Sequence, residues 1–197
     1  EKEGIPFEIF EFSPNRANLV ARLQGSGEEK PLCLLSHIDV VTSEPSKWTH
    51  PPLSGLIDEE GYIWGRGALD MKGLGVMELM SMILMKRLAI PLKRDVILLA
   101  VADEEVGGLG MMELVQNHWD DIGCTQLVNE GGIGLKGGIF PDQTVYTISV
   151  GEKGNVWLKM KSFGDSGHGS TPRPNEAPVR MVKAINDLHV RKVIPQI

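Results

Sequence analysis

The chain holds only two cysteines among 197 residues, few aromatics (6%) and no block of basic residues. Each shortage closes off a class of function. Two cysteines provide neither a disulfide framework nor the Cys-x-x-Cys spacing of a zinc knuckle. Cys33 lies inside the apolar run Leu32 to Leu35 and Cys124 precedes another, so both are expected as buried thiols in a reducing, cytoplasmic compartment. The formal net charge of -6, without a basic stripe, argues against nucleic acid and against an anionic membrane as partner. No apolar stretch approaches the roughly 20 residues that a membrane helix needs. The chain opens at Glu1 without an initiator Met or a signal-like segment. What remains is an ordinary globular composition, 42% hydrophobic and 23% charged, suited to a small-molecule or peptide substrate. Its length accommodates one full domain and part of another.

The order of elements reads as α/β. Residues 7 to 12 and 17 to 23 alternate as an edge hairpin. Pro31 to Ser36 and Asp95 to Ala102 are short continuous apolar runs, the pattern of strands buried on both faces, and Gln126 to Val128 is a third strand. Between them lie a Met- and Leu-rich helix from Gly73 to Leu88, stopped by Pro91, and a shorter helix over about Met111 to Trp119. Strands alternating with helices predict a mostly parallel sheet flanked by helices. Near Gly151 the pattern changes to an alternating strand from Asn155 to Ser162, a loop from Gly164 to Pro178 and an amphipathic helix from Val179 to Val190. We therefore divide the chain into residues 1-152, a metal-binding catalytic domain lacking its C-terminal part, and 153-197, the beginning of a smaller α+β lid or dimerisation domain.

Four signatures stand where apolar runs give way to turns: Ser36-His37-Ile38-Asp39, Gly65-Arg66-Gly67-Ala68-Leu69-Asp70-Met71-Lys72-Gly73, Asp103-Glu104-Glu105 and Asn129-Glu130-Gly131-Gly132. Open α/β sheets place their ligands at such strand ends. A dinuclear hydrolytic site needs a bridging carboxylate, terminal ligands on each ion, and a base for the attacking water. His37 is a nitrogen ligand suited to zinc, and Asp39, two residues on and on the same side, can accept its other ring N–H. Asp70 leaves a turn tightened by Gly65 and Gly67, and we assign it the bridge. Glu104 and Glu105 are neighbours whose side chains diverge in extended or helical backbone, so one serves as base and the other as ligand. Glu130, before two glycines, is a terminal carboxylate ligand. Two other histidines have structural readings: His118 falls in line with Met111, Leu114 and Val115, and His189 near a helix end complements the dipole. The methionines from 71 to 85 read as core filling.

Ser-His-x-Asp, Gly-Arg-Gly-x-x-Asp-Met-Lys-Gly, Asp-Glu-Glu and Asn-Glu-Gly-Gly, in this order and spacing over residues 30 to 175, resemble the zinc aminoacylase and carboxypeptidase family. That family includes acetylornithine deacetylase, succinyl-diaminopimelate desuccinylase, aminoacylase and glutamate carboxypeptidase. The resemblance implies two zinc ions, with cobalt or manganese as alternatives: one held by His37, Asp70 and Glu130, the other by Asp70 and Glu105, with Glu104 as the base. It further implies a cis peptide after Asp70 and a homodimer formed through the lid. In that dimer His168, in Gly167-His168-Gly169-Ser170, stabilises the oxyanion in the neighbouring subunit's active site. Members of the family are longer, with a last histidine ligand beyond the lid, and none of His50, His118 and His189 matches its context, so the chain is expected to be a fragment. The activity implied is hydrolysis of an N-acyl amino acid or of the C-terminal bond of a small peptide. The competing expectation is a non-catalytic metal-binding or dimerising relative, against which an intact Glu104 argues.

Overall fold

The computed structural model describes residues 1–149, 151, 154 and 158–191. In chain order the elements are β1 (Phe7–Ser13), β2 (Arg16–Leu23), β3 (Leu32–His37), β4 (Leu56–Ile57), β5 (Ile63–Trp64), α1 (Gly73–Arg87), β6 (Val96–Val101), α2 (Leu109–Asn117), α3 (Trp119–Ile122), β7 (Gln126–Val128), β8 (Gly134–Lys136), β9 (Thr144–Tyr146) and α4 (Ala177–Val190). The main sheet runs β1-β2-β6-β3-β7. Its central strands β6, β3 and β7 are parallel, in the register Leu32↔Val96 and Cys33↔Leu127. The predicted hairpin β1–β2 forms the antiparallel margin beside β6. This is the α/β arrangement expected from the alternation of strands and helices.

The apolar runs are continuous because both faces of the sheet are covered. On β6, Ile97, Leu99 and Val101 join Cys33, Leu114, Ile122 and Cys124 in one core, whereas Val96 and Leu98 join Ile5, Ala21 and Met82 in the other. Period-two alternation thus sends successive side chains into different cores. Burying a side chain such as Leu99, which is fully enclosed, stabilises the fold by about 2 to 3 kcal/mol.

The cysteines differ from expectation. Cys33 and Cys124 form a disulfide, with Cα atoms 5.9 Å apart, within the normal span for such a bond. Parallel pairing of β3 with β7 brings the segment before β7 alongside Cys33, an adjacency that 91 residues of separation conceal. The two cysteines are therefore not free thiols, and they give no support to a reducing, cytoplasmic setting.

The chain divides into two compact units, Glu1–Ser149 and Val150–Ile197. The second contains α4, entered with Pro178 in its first turn, where a missing N–H costs nothing. Of the strand expected at 155 to 162, residues 155–157 lie outside the described residues, and 158–162 adopt no strand. Among the described residues no helix is long and apolar enough to cross a membrane.

Candidate metal centre

His37 closes β3 level with Val101, the last residue of β6, and is buried. Its Nε2 lies 3.1 Å from Asp70 Oδ1 and 3.6 Å from Glu130 Oε1. Its Nδ1 lies 3.0 Å from the main-chain carbonyl oxygen of Asp39 and 3.5 Å from the Asp39 carboxylate. A carbonyl only accepts, so Nδ1 carries the proton and Nε2 presents its lone pair in the neutral ring. The histidine is thus oriented chiefly by the backbone of Asp39. The carboxylate of Asp39 does something the sequence did not foretell: it accepts the N–H groups of Glu104 (3.2 Å) and Glu105 (3.1 Å), tying the turn after β6 to the end of β3.

That turn, Glu104–Val106, begins after Asp103, whose φ of 65° is left-handed. The buried Asp103 carboxylate accepts a hydrogen bond from Arg16 of β2 at 2.5 Å. The expectation that adjacent Glu side chains diverge fails in this tight turn. Atoms of His37, Glu104 and Glu105 all lie within 4.8 Å of one another. A second set of the same dimensions joins His37, Asp70 and Glu130. His37 is therefore common to both sets, and Glu105 groups with Glu104 rather than with Asp70.

Asp70 reaches His37 from the segment between β5 and α1. Gly67, at φ 84°, is required there twice over, since a Cβ would also sit 2.5 Å from Val40 Cγ1. The peptide between Asp70 and Met71 is cis. Met71 is buried beneath the site, its sulfur 3.2 Å from the His37 amide nitrogen, and Lys72 donates to the carbonyl of Ile38 at 2.9 Å. Met71, Lys72 and Asp103, which stand inside the four signatures without an assigned role, and Arg16, which stands outside them, thus support the site. Met71 and Lys72 act on backbone groups, which carry no sequence signature, whereas Arg16 and Asp103 bond each other through their side chains.

Burial pushes the Glu104 carboxyl above the usual range, His37 pulls it back, and Glu105, Asp39 and Asp70 push it up again. Glu130 is likewise raised by burial first, with His37 opposing and Asp70 and Glu104 adding to the rise. For His37 burial lowers the pKa, but the Asp39 carbonyl, Asp70 and Glu130 outweigh it and the net shift is upward. These shifts describe negative charge gathered around one imidazole. A divalent cation fits, because it supplies the countercharge that stabilises all the carboxylates together, and one imidazole with several carboxylate oxygens is a donor set for zinc or its neighbours.

His168 belongs to the second unit and is exposed. The Ser170 amide donates to its Nδ1 at 3.3 Å, with the Ser170 hydroxyl at 2.8 Å. An accepting Nδ1 leaves the proton on Nε2, making that atom a donor.

Comparison with known proteins places this geometry in context. The model described as Peptidase family M20/M25/M40 matches residues 33–190. The chain belongs to that family. It is 32% identical over 186 residues to aminoacylase-1 of Sus scrofa, an alignment covering 94% of this chain and 44% of that protein. It is also 32% identical over 189 residues to a probable carboxypeptidase S-like 2 of Dictyostelium discoideum, covering 91% and 36% respectively. The chain therefore spans less than half the length of these curated relatives. Among solved structures it resembles an M20 family metallo-carboxypeptidase from Sulfolobus solfataricus, with a TM-score of 0.59 and 25% identity, over 69% of this chain and 30% of that one. The resemblance read from the four signatures is thereby established, as is the mostly parallel, helix-flanked sheet of the family's peptidase domains.

Proposed function

We propose that the full protein is a metal-dependent amide hydrolase acting on an N-acyl amino acid or on the C-terminal bond of a small peptide. The observation that carries this reading is the convergence of His37, Asp70, Glu104, Glu105 and Glu130 in two overlapping donor sets at the carboxyl ends of parallel strands, in a chain of the M20/M25/M40 peptidase family. His37, Asp70 and Glu130 would hold one divalent ion and Glu105 would contribute to a second; zinc suits the imidazole, and cobalt and manganese are the alternatives. When bound, the ions acidify a water and polarise the scissile carbonyl. Glu104 accepts the proton of the attacking water and passes it to the departing amine. Asp39 holds the amides of Glu104 and Glu105 and, through its carbonyl, the ring of His37, so base and ligand keep a fixed separation. His168, a donor through Nε2, supplies a hydrogen bond to the oxyanion across a homodimer formed by the second unit. A non-catalytic scaffold is disfavoured because it has no use for Glu104.

The test uses the full-length protein and measures zinc content and amino-acid release from N-acyl substrates. Glu104→Gln retains the metal and loses about 100-fold or more of kcat. Turnover that survives the substitution removes Glu104 from the role of base.

A further inference from the structure

The loop bearing Glu104 and Glu105 leaves the sheet after Ala102 and returns at Gly110, and its neck is closed by one buried side chain of the hairpin. Asn18, on β2, is 1% exposed. Its Oδ1 accepts the amide of Ala102 at 3.0 Å, and its Nδ2 donates to the carbonyl of Gly110 at 2.9 Å. Ala102 and Gly110 also bond each other directly, Gly110 N–H to Ala102 O at 3.2 Å. The register of β2 with β6 runs from Leu23↔Val96 to Leu19↔Ala100, so Asn18 stands just beyond the last pair, where the ladder ends and Ala102 turns away. A side chain offering both a donor and an acceptor replaces the missing strand partner there.

Gly110 completes the fit. A Cβ at that position would lie 2.3 Å from Ala102 O and 2.4 Å from Asn18 Oδ1, distances no real contact tolerates. Two residues before Asn18 on the same strand, and hence on the same side, Arg16 binds the carboxylate of Asp103. The hairpin therefore grips the loop at its neck through Asn18 and at its first residue through Arg16, while Asp39 grips it at Glu104 and Glu105.

We infer that Asn18 is a positioning residue for Glu104 and Glu105, acting through Ala102 and Gly110, so that a side chain of the hairpin sets the distance between the base and the His37 cluster. This inference rests on the hydrolase reading above. Without Asn18 the loop would still be held by Arg16 and Asp39 but its return at Gly110 would be freer to shift, and a displacement on the order of 1 Å at a reacting group costs up to about 100-fold in rate.

Two variants of the full-length protein test it: Asn18→Ala, which removes both bonds, and Asn18→Asp, which keeps the shape and the acceptor for Ala102 but loses the donor to Gly110. Amide hydrogen exchange gives a readout independent of activity. The expected result is exchange at least tenfold faster at Gly110, Ala102 and the amides of residues 106 to 108, with the β2–β6 ladder unchanged. Per folded, zinc-loaded molecule, kcat falls tenfold or more in Asn18→Ala and less in Asn18→Asp, while KM stays within twofold. Faster loop exchange with an unchanged kcat overturns the positioning role, as does unchanged exchange in Asn18→Asp. If Asn18→Ala does not fold, Asn18→Asp decides by the same criteria. A wild-type protein that cleaves none of the N-acyl amino acids or peptides defeats the hydrolase reading instead; the exchange arm still reports on the neck.

Discussion

Glu78, on α1, is the side chain whose removal should change stability most sharply with pH. It is 5% exposed, and neither carboxyl oxygen has a hydrogen-bond partner among the described residues. Burial pushes its pKa from 4.5 to about 7, and the nearby Ser36 hydroxyl offsets this only in part. Below pH 4.5 the carboxyl is protonated in both folded and unfolded chains and contributes no penalty. Between 4.5 and about 7 the unfolded chain releases its proton while the folded chain retains it, so stability falls as pH rises. Above about 7 the penalty is complete. A rise of that size corresponds to a ceiling of about 3 kcal/mol. Glu78→Gln removes the titration. Urea unfolding followed by tryptophan fluorescence, at intervals from pH 4 to 9, should show variant and wild type separating steadily between pH 4.5 and 7.5. Above that window the gap should be constant, with the variant gaining about 2 to 3 kcal/mol relative to wild type between pH 4 and 9. A difference that stays flat across the window would show that Glu78 ionises as an ordinary carboxyl, and the argument from its enclosure would fail.

Two further outcomes are expected. Asp39→Asn leaves one oxygen for the two amides of Glu104 and Glu105 and turns an NH2 toward the other, so it should lower unfolding stability by about 2 to 3 kcal/mol, the worth of a hydrogen bond to a charged group together with an amide left unpaired; a stability within about 0.5 kcal/mol of wild type in urea titration would mean that the carboxylate does not secure the turn. Replacing Cys33 and Cys124 together by Ala should cost about 2 to 4 kcal/mol under non-reducing conditions, and a thiol-reactive dye applied to the denatured, unreduced wild-type protein should leave Cys33 and Cys124 unlabelled on peptide mapping; labelling of both would show that the pair is open.

The sequence displayed most of what the sheet needed and little of what the site needed between its principal residues. The runs at Leu32 to Leu35 and Val96 to Val101 were readable because burial on both faces leaves an unbroken apolar string. Glu104, Glu105, His37 and Glu130 were readable because each ends or follows such a string. The β8–β9 hairpin was not, since three-residue strands largely exposed are too short to establish a period. The Cys33–Cys124 pair was hidden by parallel pairing, which joins residues remote in the chain. The convergence of Glu104 with Glu105 was hidden because the rule of diverging neighbours applies to extended and helical backbone, whereas a left-handed Asp103 introduces a tighter turn.

What binds these fragments into a site is register. His37 pairs with Val101, and the Ile38 amide donates to the Val101 carbonyl at 2.8 Å, so β3 and β6 end level and Asp39 meets the amides of Glu104 and Glu105 directly. Lengthening β6 by one residue would carry the turn about 3.3 Å along the strand axis and reverse the face of every side chain beyond it. Both Asp39 bonds and the Asn18 neck would then be lost together, although all the donor residues would still be present. The spacing between Val101 and Asp103 is therefore as much a part of the proposed metal centre as the carboxylates themselves.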